Sequence, residues 1–137
     1  MPLVQQFDAT LQLLHKVLDL RSQKQQIISA NIANADTPGY SPNELKFEEE
    51  LRQAVQDGTL RPVTTHPGHF PLSGKSIDQV SGTLVSRPDT SGIGDENGVR
   101  VDQEMIDMAE NQILYEAAAQ MLKKKIGILK YVVQDGK

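Results

Sequence analysis

The 137-residue chain has no cysteine and no tryptophan, and only three phenylalanines and three tyrosines. Without cysteine, disulfides and thiolate metal sites are excluded. With aromatics at 4%, a core must be assembled from Leu, Ile, Val, Met and Ala, a palette that suits helix–helix seams. A surplus of positive charge is also lacking: the formal net charge is −4, which argues against nucleic acid, whose phosphates require a clustered basic face. The only basic run, Lys123, Lys124 and Lys125, lies where it favours the negative end of a C-terminal helix, with Asp102, Glu104, Asp107 and Glu110 at the opposite end. No stretch approaches the roughly 20 apolar residues needed to span a bilayer. The first twenty residues are broken by Gln5, Gln6, Asp8, Gln12 and Lys16, so the expectation is a chain made in the cytoplasm without a cleavable signal peptide.

Catalytic signatures are equally scarce. There is no glycine-rich phosphate loop, nucleophile elbow or Glu-x-x-His pair. His66 and His69 stand three apart in a Pro- and Gly-rich segment without a third ligand at a convincing spacing, and zinc sites need at least three protein ligands. His15 lies on the N-terminal helix beside Leu14 and reads as a residue at the boundary of its apolar face. Glu48, Glu49 and Glu50 are consecutive, point in different directions and are expected to form a solvated helix face. The expectation is no enzyme activity, no catalytic residue, no cofactor, no metal and no small-molecule substrate.

Periodicity is what the chain does have. Val4, Phe7, Leu11, Leu14 and Leu18 step by three and four, and after polar interruptions at Arg21 and Gln25 the register resumes at Ile28, Ile32 and Ala35. A second row, Leu3, Thr10, Leu13, Val17, Leu20 and Ile27, widens the apolar face beyond what one partner helix covers. Near the other end Val101, Met105, Met108, Gln112, Tyr115, Ala119, Leu122, Ile126, Leu129 and Val133 alternate steps of four and three, with one polar slip at Gln112. Two helices of about 50 Å are expected, and their matched lengths predict mutual pairing as a coiled coil.

Between them lies a corner. Asn31 and Asn34 loosen the last helical turn, Pro38 disfavours helix at Thr37, and Gly39 permits a positive φ. Ser41, Pro42 and Glu44 have the spacing of a capping box that starts a short helix carrying Leu45, Leu51 and Val55 and ending at Gly58. Residues 58–98 are rich in Gly, Pro, Ser and Thr and hold no helical period; an irregular loop is expected, with room for a short hairpin near residues 79–85. The fold class is therefore all-α and a single domain: an N-terminal helix over 1–36, the corner and short helix over 37–57, the loop-rich middle over 58–98 and a C-terminal helix over 99–135.

The string Ser29-Ala30-Asn31-Ile32-Ala33-Asn34-Ala35-Asp36-Thr37-Pro38-Gly39-Tyr40 closely resembles the signature that ends the N-terminal helix of the bacterial flagellar rod and hook axial proteins. Thr65-His66-Pro67-Gly68-His69-Phe70, the run from Glu96 to Met105, Ala109-Glu110-Asn111-Gln112 and Tyr115 resemble the small proximal-rod subunits in particular, and 137 residues cannot hold the large β-domains of the hook. Arg100 departs from the smaller or uncharged residue usual there. The resemblance implies a structural subunit of the proximal rod in the periplasm, exported by the flagellar type III apparatus and transmitting torque. It implies polymerisation with other copies, with other rod proteins and with membrane-ring and export-gate components at the rod base, and terminal helices that order on assembly. The motif residues Asn31, Asn34, Asp36, Thr37, Pro38, Gly39 and Tyr40 would set the corner. Val4, Phe7, Leu11, Leu14, Leu18, Ile28, Ile32, Val101, Met105, Met108, Tyr115, Leu122, Ile126, Leu129 and Val133 would form the assembly interface. Two alternatives stay open: another small rod subunit, and a free-standing helical adaptor or export chaperone that holds a partner helix in a groove.

Overall fold

A computed structural model describes residues 2–59 and 75–135, with side chains described over 7–57 and 75–134. Two long helices dominate, α1 (Pro2–Ala33) and α3 (Val101–Asp135), as the three-and-four stepping predicts. Between them come strand β1 (Asn43–Lys46), helix α2 (Glu48–Thr59), a 3-10 turn (Ile77–Gln79) and strand β2 (Thr83–Ser86). The protein is mostly helical, and its terminal helices pair along each other in antiparallel fashion: Asn31 meets Glu104, Arg21 meets Asn111, and Lys125 lies over Phe7.

The two apolar rows of α1 have different partners. Leu13, Val17, Leu20 and Ile27 pack onto a core of Leu45, Phe47, Leu51, Ala54 and Val80, contributed by β1, α2 and the segment before β2. Phe7, Leu14, Arg21 and Ile28 repeat every seven residues along the flank that meets α3, where Leu14 and Ile28 are buried. One helix thus serves as the central element between a small mixed lobe and α3. That use of both flanks explains why its apolar face is too wide for a single seam.

The short helix starts later than the capping-box spacing implies. Residues 43–46 form a strand, and α2 begins at Glu48. The cause lies in long-range pairing. β1 runs antiparallel to β2 with Asn43 opposite Ser86 and Leu45 opposite Leu84, and the Arg87 N–H donates to the Pro42 carbonyl at 2.9 Å. The Asn31 side-chain amide supplies a further anchor: it accepts from Asn43 N–H at 3.0 Å and donates to Asn43 C=O at 2.8 Å, as a neighbouring peptide group would. Extended backbone satisfied on both sides wins over a three-residue cap signal. Phe47 takes the cap position, its carbonyl accepting from Leu51 N–H. Glu48, Glu49 and Glu50 then fill the first turn, where negative charge opposes the helix dipole.

The expected hairpin near 79–85 is half present. Its strand exists as β2, but the partner is β1, some forty residues earlier in the chain, and the local segment forms the 3-10 turn instead. The Thr65–Phe70 string, including His66 and His69, lies outside the described residues. No helix among the described residues is long and apolar enough to cross a membrane.

Candidate assembly surface

The corner is built around Asn31. This side chain is 1% exposed and takes part in four hydrogen bonds: two with the Asn43 backbone, one to Glu104 Oε2 at 2.9 Å and one from the Tyr40 hydroxyl at 3.3 Å. Glu104, 2% exposed on the first turn of α3, also accepts from Arg87 Nη2 at 3.0 Å. A buried carboxylate is costly unless its oxygens are matched, and here one oxygen faces an amide and the other a guanidinium. The end of α1, the strand pair and the start of α3 therefore share one node.

The turn after α1 is closed from the opposite direction by the segment preceding α3. Asn97 Nδ2 donates to the carbonyls of Asn34 at 2.9 Å and Thr37 at 2.7 Å. Gly39 N–H donates to Asp95 C=O at 2.7 Å and Gly98 N–H to Tyr40 C=O at 3.0 Å. Gly39 holds φ +70°, a conformation that side chains with a Cβ resist. Gly98 has a different reason to be glycine: an added Cβ would meet Arg87 O at 2.8 Å and the Pro42 ring at 3.0 Å. Asn34 donates back to Ala30 C=O and accepts from the Thr37 hydroxyl. Asp36 and Pro38 are exposed, and Tyr40 is half-buried.

A second polar node lies one heptad along α3. Asn111 accepts from Arg21 Nη1 at 3.2 Å and donates to Arg21 C=O at 2.9 Å and Gln25 Oε1 at 2.8 Å. These partners are the two polar interruptions in the apolar row of α1. The Arg21 guanidinium continues over the Phe47 ring at 5.2 Å, and Lys24 lies over the same ring while pairing with Glu48 at 2.9 Å. Burial raises the Glu48 carboxyl, but the hydrogen bond and charge of Lys24 together with backbone N–H groups outweigh it, and its pKa sits below the ordinary glutamate value. A cleft of about 220 Å³ between the nodes is lined by the charged residues Arg21, Lys24, Arg87, Glu44, Glu48, Glu104, Asp107 and Glu110, of which the first six are paired with one another. Among the described residues no buried side-chain nitrogen or oxygen lacks a hydrogen bond.

These nodes fix the rotation of α3. Glu104, Asn111 and Ala118 are its buried residues, seven apart, and Lys125 continues the line. Met108 and Leu122 are half-buried beside it, and Tyr115 and Val101 lie at its margin. The companion row does not face α1: Met105 is 58%, Ile126 54% and Val133 64% exposed, and Leu129 is exposed with them. Ile106, Ile113, Met121, Ile128, Tyr131 and Val132 extend this outward apolar surface. On α1, by contrast, Phe7, Leu11, Leu18 and Ile32 are half-buried and Leu14 and Ile28 buried; the surroundings of the Val4 side chain lie outside the described residues. The apolar residues assigned to assembly thus divide into an inner set, held within the chain, and an outer set on α3.

Glu104, Asn111, Arg21, Arg87 and Asn97 escape a search for apolar periodicity because the inner line of α3 is largely polar. The readable signal is partial: the two polar interruptions of α1, Arg21 and Gln25, belong to the node, whereas the polar slip at Gln112 is one residue off and bonds Glu116 instead.

A model of the flagella basal body rod protein family matches residues 18–40, the stretch that runs from the Arg21 node to the Tyr40 corner. The chain is similar along nearly its whole length to curated relatives named flagellar basal body rod protein FlgB. It is 32% identical to that of Salmonella typhimurium, covering 98% of this chain and 99% of the relative. With the Bacillus subtilis protein the identity is 34%, over 96% and 98%; with that of Escherichia coli it is 31%, over 98% and 99%.

Proposed function

The chain belongs to the FlgB family of flagellar basal body rod proteins and is a structural subunit of the basal body rod, not an enzyme; from that premise we propose how it is built into the rod. It polymerises through the outer face of α3, with Val101, Met105, Ile126, Leu129 and Val133 joined by Ile106 and Ile113. α1 and the inner face of α3, including Phe7, Leu14, Ile28, Met108 and Leu122, form the stiff body that carries this face. The observation that carries this reading is the rotation of α3: a polar line turned inward and an apolar surface turned to solvent. Exposed apolar surface of that extent marks an association site, and its burial at about 25 cal/mol per Å² contributes a few kcal/mol per helix before ordering costs.

The corner residues Asn31, Asn34, Asp36, Thr37, Pro38, Gly39 and Tyr40 act one step back from the contact surface. Their hydrogen bonds lock the end of α1 to the start of α3, so that torque applied to one helix turns the other without slack. The subunit lies in the proximal rod in the periplasm, is delivered by the flagellar type III apparatus, and contacts further copies, related rod proteins and the membrane-ring and export-gate components at the rod base.

Electron microscopy of basal bodies purified from cells lacking only this chain tests the proposal. The expected result is membrane rings without a rod. Intact rods would overturn it.

A further inference from the structure

Among the asparagines of the chain, only Asn97 is followed by glycine. That step is a reactive amide setting, because without a Cβ on the second residue nothing hinders the approach of its peptide nitrogen to the asparagine side chain. The Gly98 nitrogen, once it has lost its proton, bonds to Asn97 Cγ; the Cγ–Nδ2 bond breaks and Nδ2 leaves as ammonia. Water then opens the cyclic imide at one carbonyl or the other, giving aspartate or isoaspartate. In sum one water enters and one ammonia departs, and no oxidant, reductant or further reactant is needed.

The corner requires both members of this step. The Asn97 amide nitrogen donates to two carbonyls, Asn34 at 2.9 Å and Thr37 at 2.7 Å, and aspartate has no donor to replace it. Gly98 cannot carry a Cβ, which would meet Arg87 O at 2.8 Å. The same contacts restrain the reaction. The Gly98 N–H that must lose its proton donates to Tyr40 C=O at 3.0 Å, and Asn97 Oδ1 accepts from Val99 N–H at 2.8 Å. With both ends of the amide held, Cγ does not turn onto the Gly98 nitrogen until the corner opens.

We propose that Asn97 is a site of spontaneous deamidation gated by the corner between α1 and α3. While the corner is closed the amide is protected; whenever the segment before α3 leaves the turn after α1, the Asn97–Gly98 step reacts, and its product no longer fits. Aspartate sets a carboxylate oxygen against the carbonyls of Asn34 and Thr37. Isoaspartate lengthens the backbone by one methylene and draws the Gly98 N–H away from Tyr40. The change runs one way, so the corner accumulates a record of the time it has spent open. All of this takes place within a single chain, whatever that chain assembles into.

Peptide mass spectrometry on the full chain tests it. Samples are kept warm at mildly alkaline pH, either folded or in guanidinium chloride, then digested with trypsin under mildly acidic conditions; the peptide ending at Arg100 holds no asparagine besides Asn97. Amide-to-acid conversion should be slower in the folded chain by about tenfold or more, since each event waits for local opening. Equal rates, or no conversion in guanidinium chloride, would overturn the proposal. Gly39→Val, which strains the corner at φ +70°, should speed conversion several-fold at a temperature where its melting curve shows it folded; an unchanged rate would show that the corner is not the gate. Chain aged in guanidinium chloride and refolded should melt about 3–8 °C below a briefly exposed control, and Asn97→Asp should melt lower as well. Asn97→Ser, which has no amide to lose, should show no further drop on the same ageing. Unchanged melting of the aged chain and of Asn97→Asp would show that the product still closes the corner, and a further drop in aged Asn97→Ser would put the damage elsewhere; each overturns the proposal.

Discussion

Asn31 on α1 donates its side-chain amide to Glu104 on α3 at 2.9 Å, with both side chains almost fully enclosed. The same amide closes the pairing of Asn43, so one residue ties two helices and a strand. Asn31→Ala should cost about 2–4 kcal/mol, because it leaves buried partners unmatched and Glu104 with Arg87 alone. Asn31→Asp should be worse, setting a second carboxylate against Glu104. Urea denaturation of both variants measures this, and a loss below about 0.5 kcal/mol would contradict the assigned burial.

The two-row pattern of α1 and the length of α3 follow from local spacing, and the structure has them; α1 itself ends at Ala33, short of the expected stop near Ala35 or Asp36, where the chain has already entered the turn. What local spacing could not give is the rotation of α3. Apolar periodicity nominates Met105 and Ile126 as seam residues, since it assumes that the face buried first is the apolar one. On α3 the apolar face is turned to solvent, and the seam within the chain is made by Glu104 and Asn111 instead. The strand at Asn43 was hidden for another reason: its partners, Asn31 and β2, lie twelve and some forty residues away, whereas a capping box reads only three residues ahead.

The node of Arg21 and Asn111 should show as energetic coupling. Asn111→Ala removes the amide acceptor of the Arg21 guanidinium, which keeps only Glu48, and Arg21→Met leaves the Asn111 Oδ1 without its donor. A double-mutant cycle is expected to return about 0.5–3 kcal/mol of interaction. Additive losses would place the two side chains apart in solution.

Glu48 links acidity to stability. Its pKa is lowered from 4.5, so the unfolded chain binds more protons in the window between the two values and stability rises with pH there. The contribution is complete above about pH 4.5 and is lost as the pH falls through the folded-state value. Glu49, beside Arg52, and Glu50, beside Lys75, are shifted in the same direction, though solvent screens both. Urea midpoints should therefore drop on acidification, and Lys24→Met should flatten the drop by removing the strongest stabiliser of the Glu48 anion. An unchanged slope in that variant would show that Lys24 does not hold Glu48.

Gly39 offers a purely conformational test. Its φ is +70°, and a Cβ there would meet nothing within 4 Å. Substitution therefore strains the backbone without a clash: Gly39→Ala should cost about 1 kcal/mol and Gly39→Val about 2 or more. Gly39→Asn should recover much of the loss, because asparagine tolerates the left-handed region. Thermal melts of the three rank them, and equal losses would mean that side-chain crowding governs the corner. In cells, Gly39→Val should block rod assembly while leaving export intact.

Leu122 and Ile126 stand four residues apart on α3, yet introducing aspartate should have different consequences for folding at the two positions. Leu122 is half-buried beside the seam with α1, so Leu122→Asp places a charge where it cannot be fully hydrated and should destabilise the free subunit by about 1–3 kcal/mol. Ile126 is 54% exposed; Ile126→Asp should shift folding stability by no more than about 0.5 kcal/mol. Its effect appears only when a neighbour covers the face, because the carboxylate then loses water without gaining a partner. Melting curves on the purified chain and electron microscopy of basal bodies from the same variants separate the two: Leu122→Asp should fail both measurements, Ile126→Asp only the second. Rods that still form with Ile126→Asp would place the assembly contact elsewhere on the subunit, since no apolar interface tolerates a bare charge at its centre.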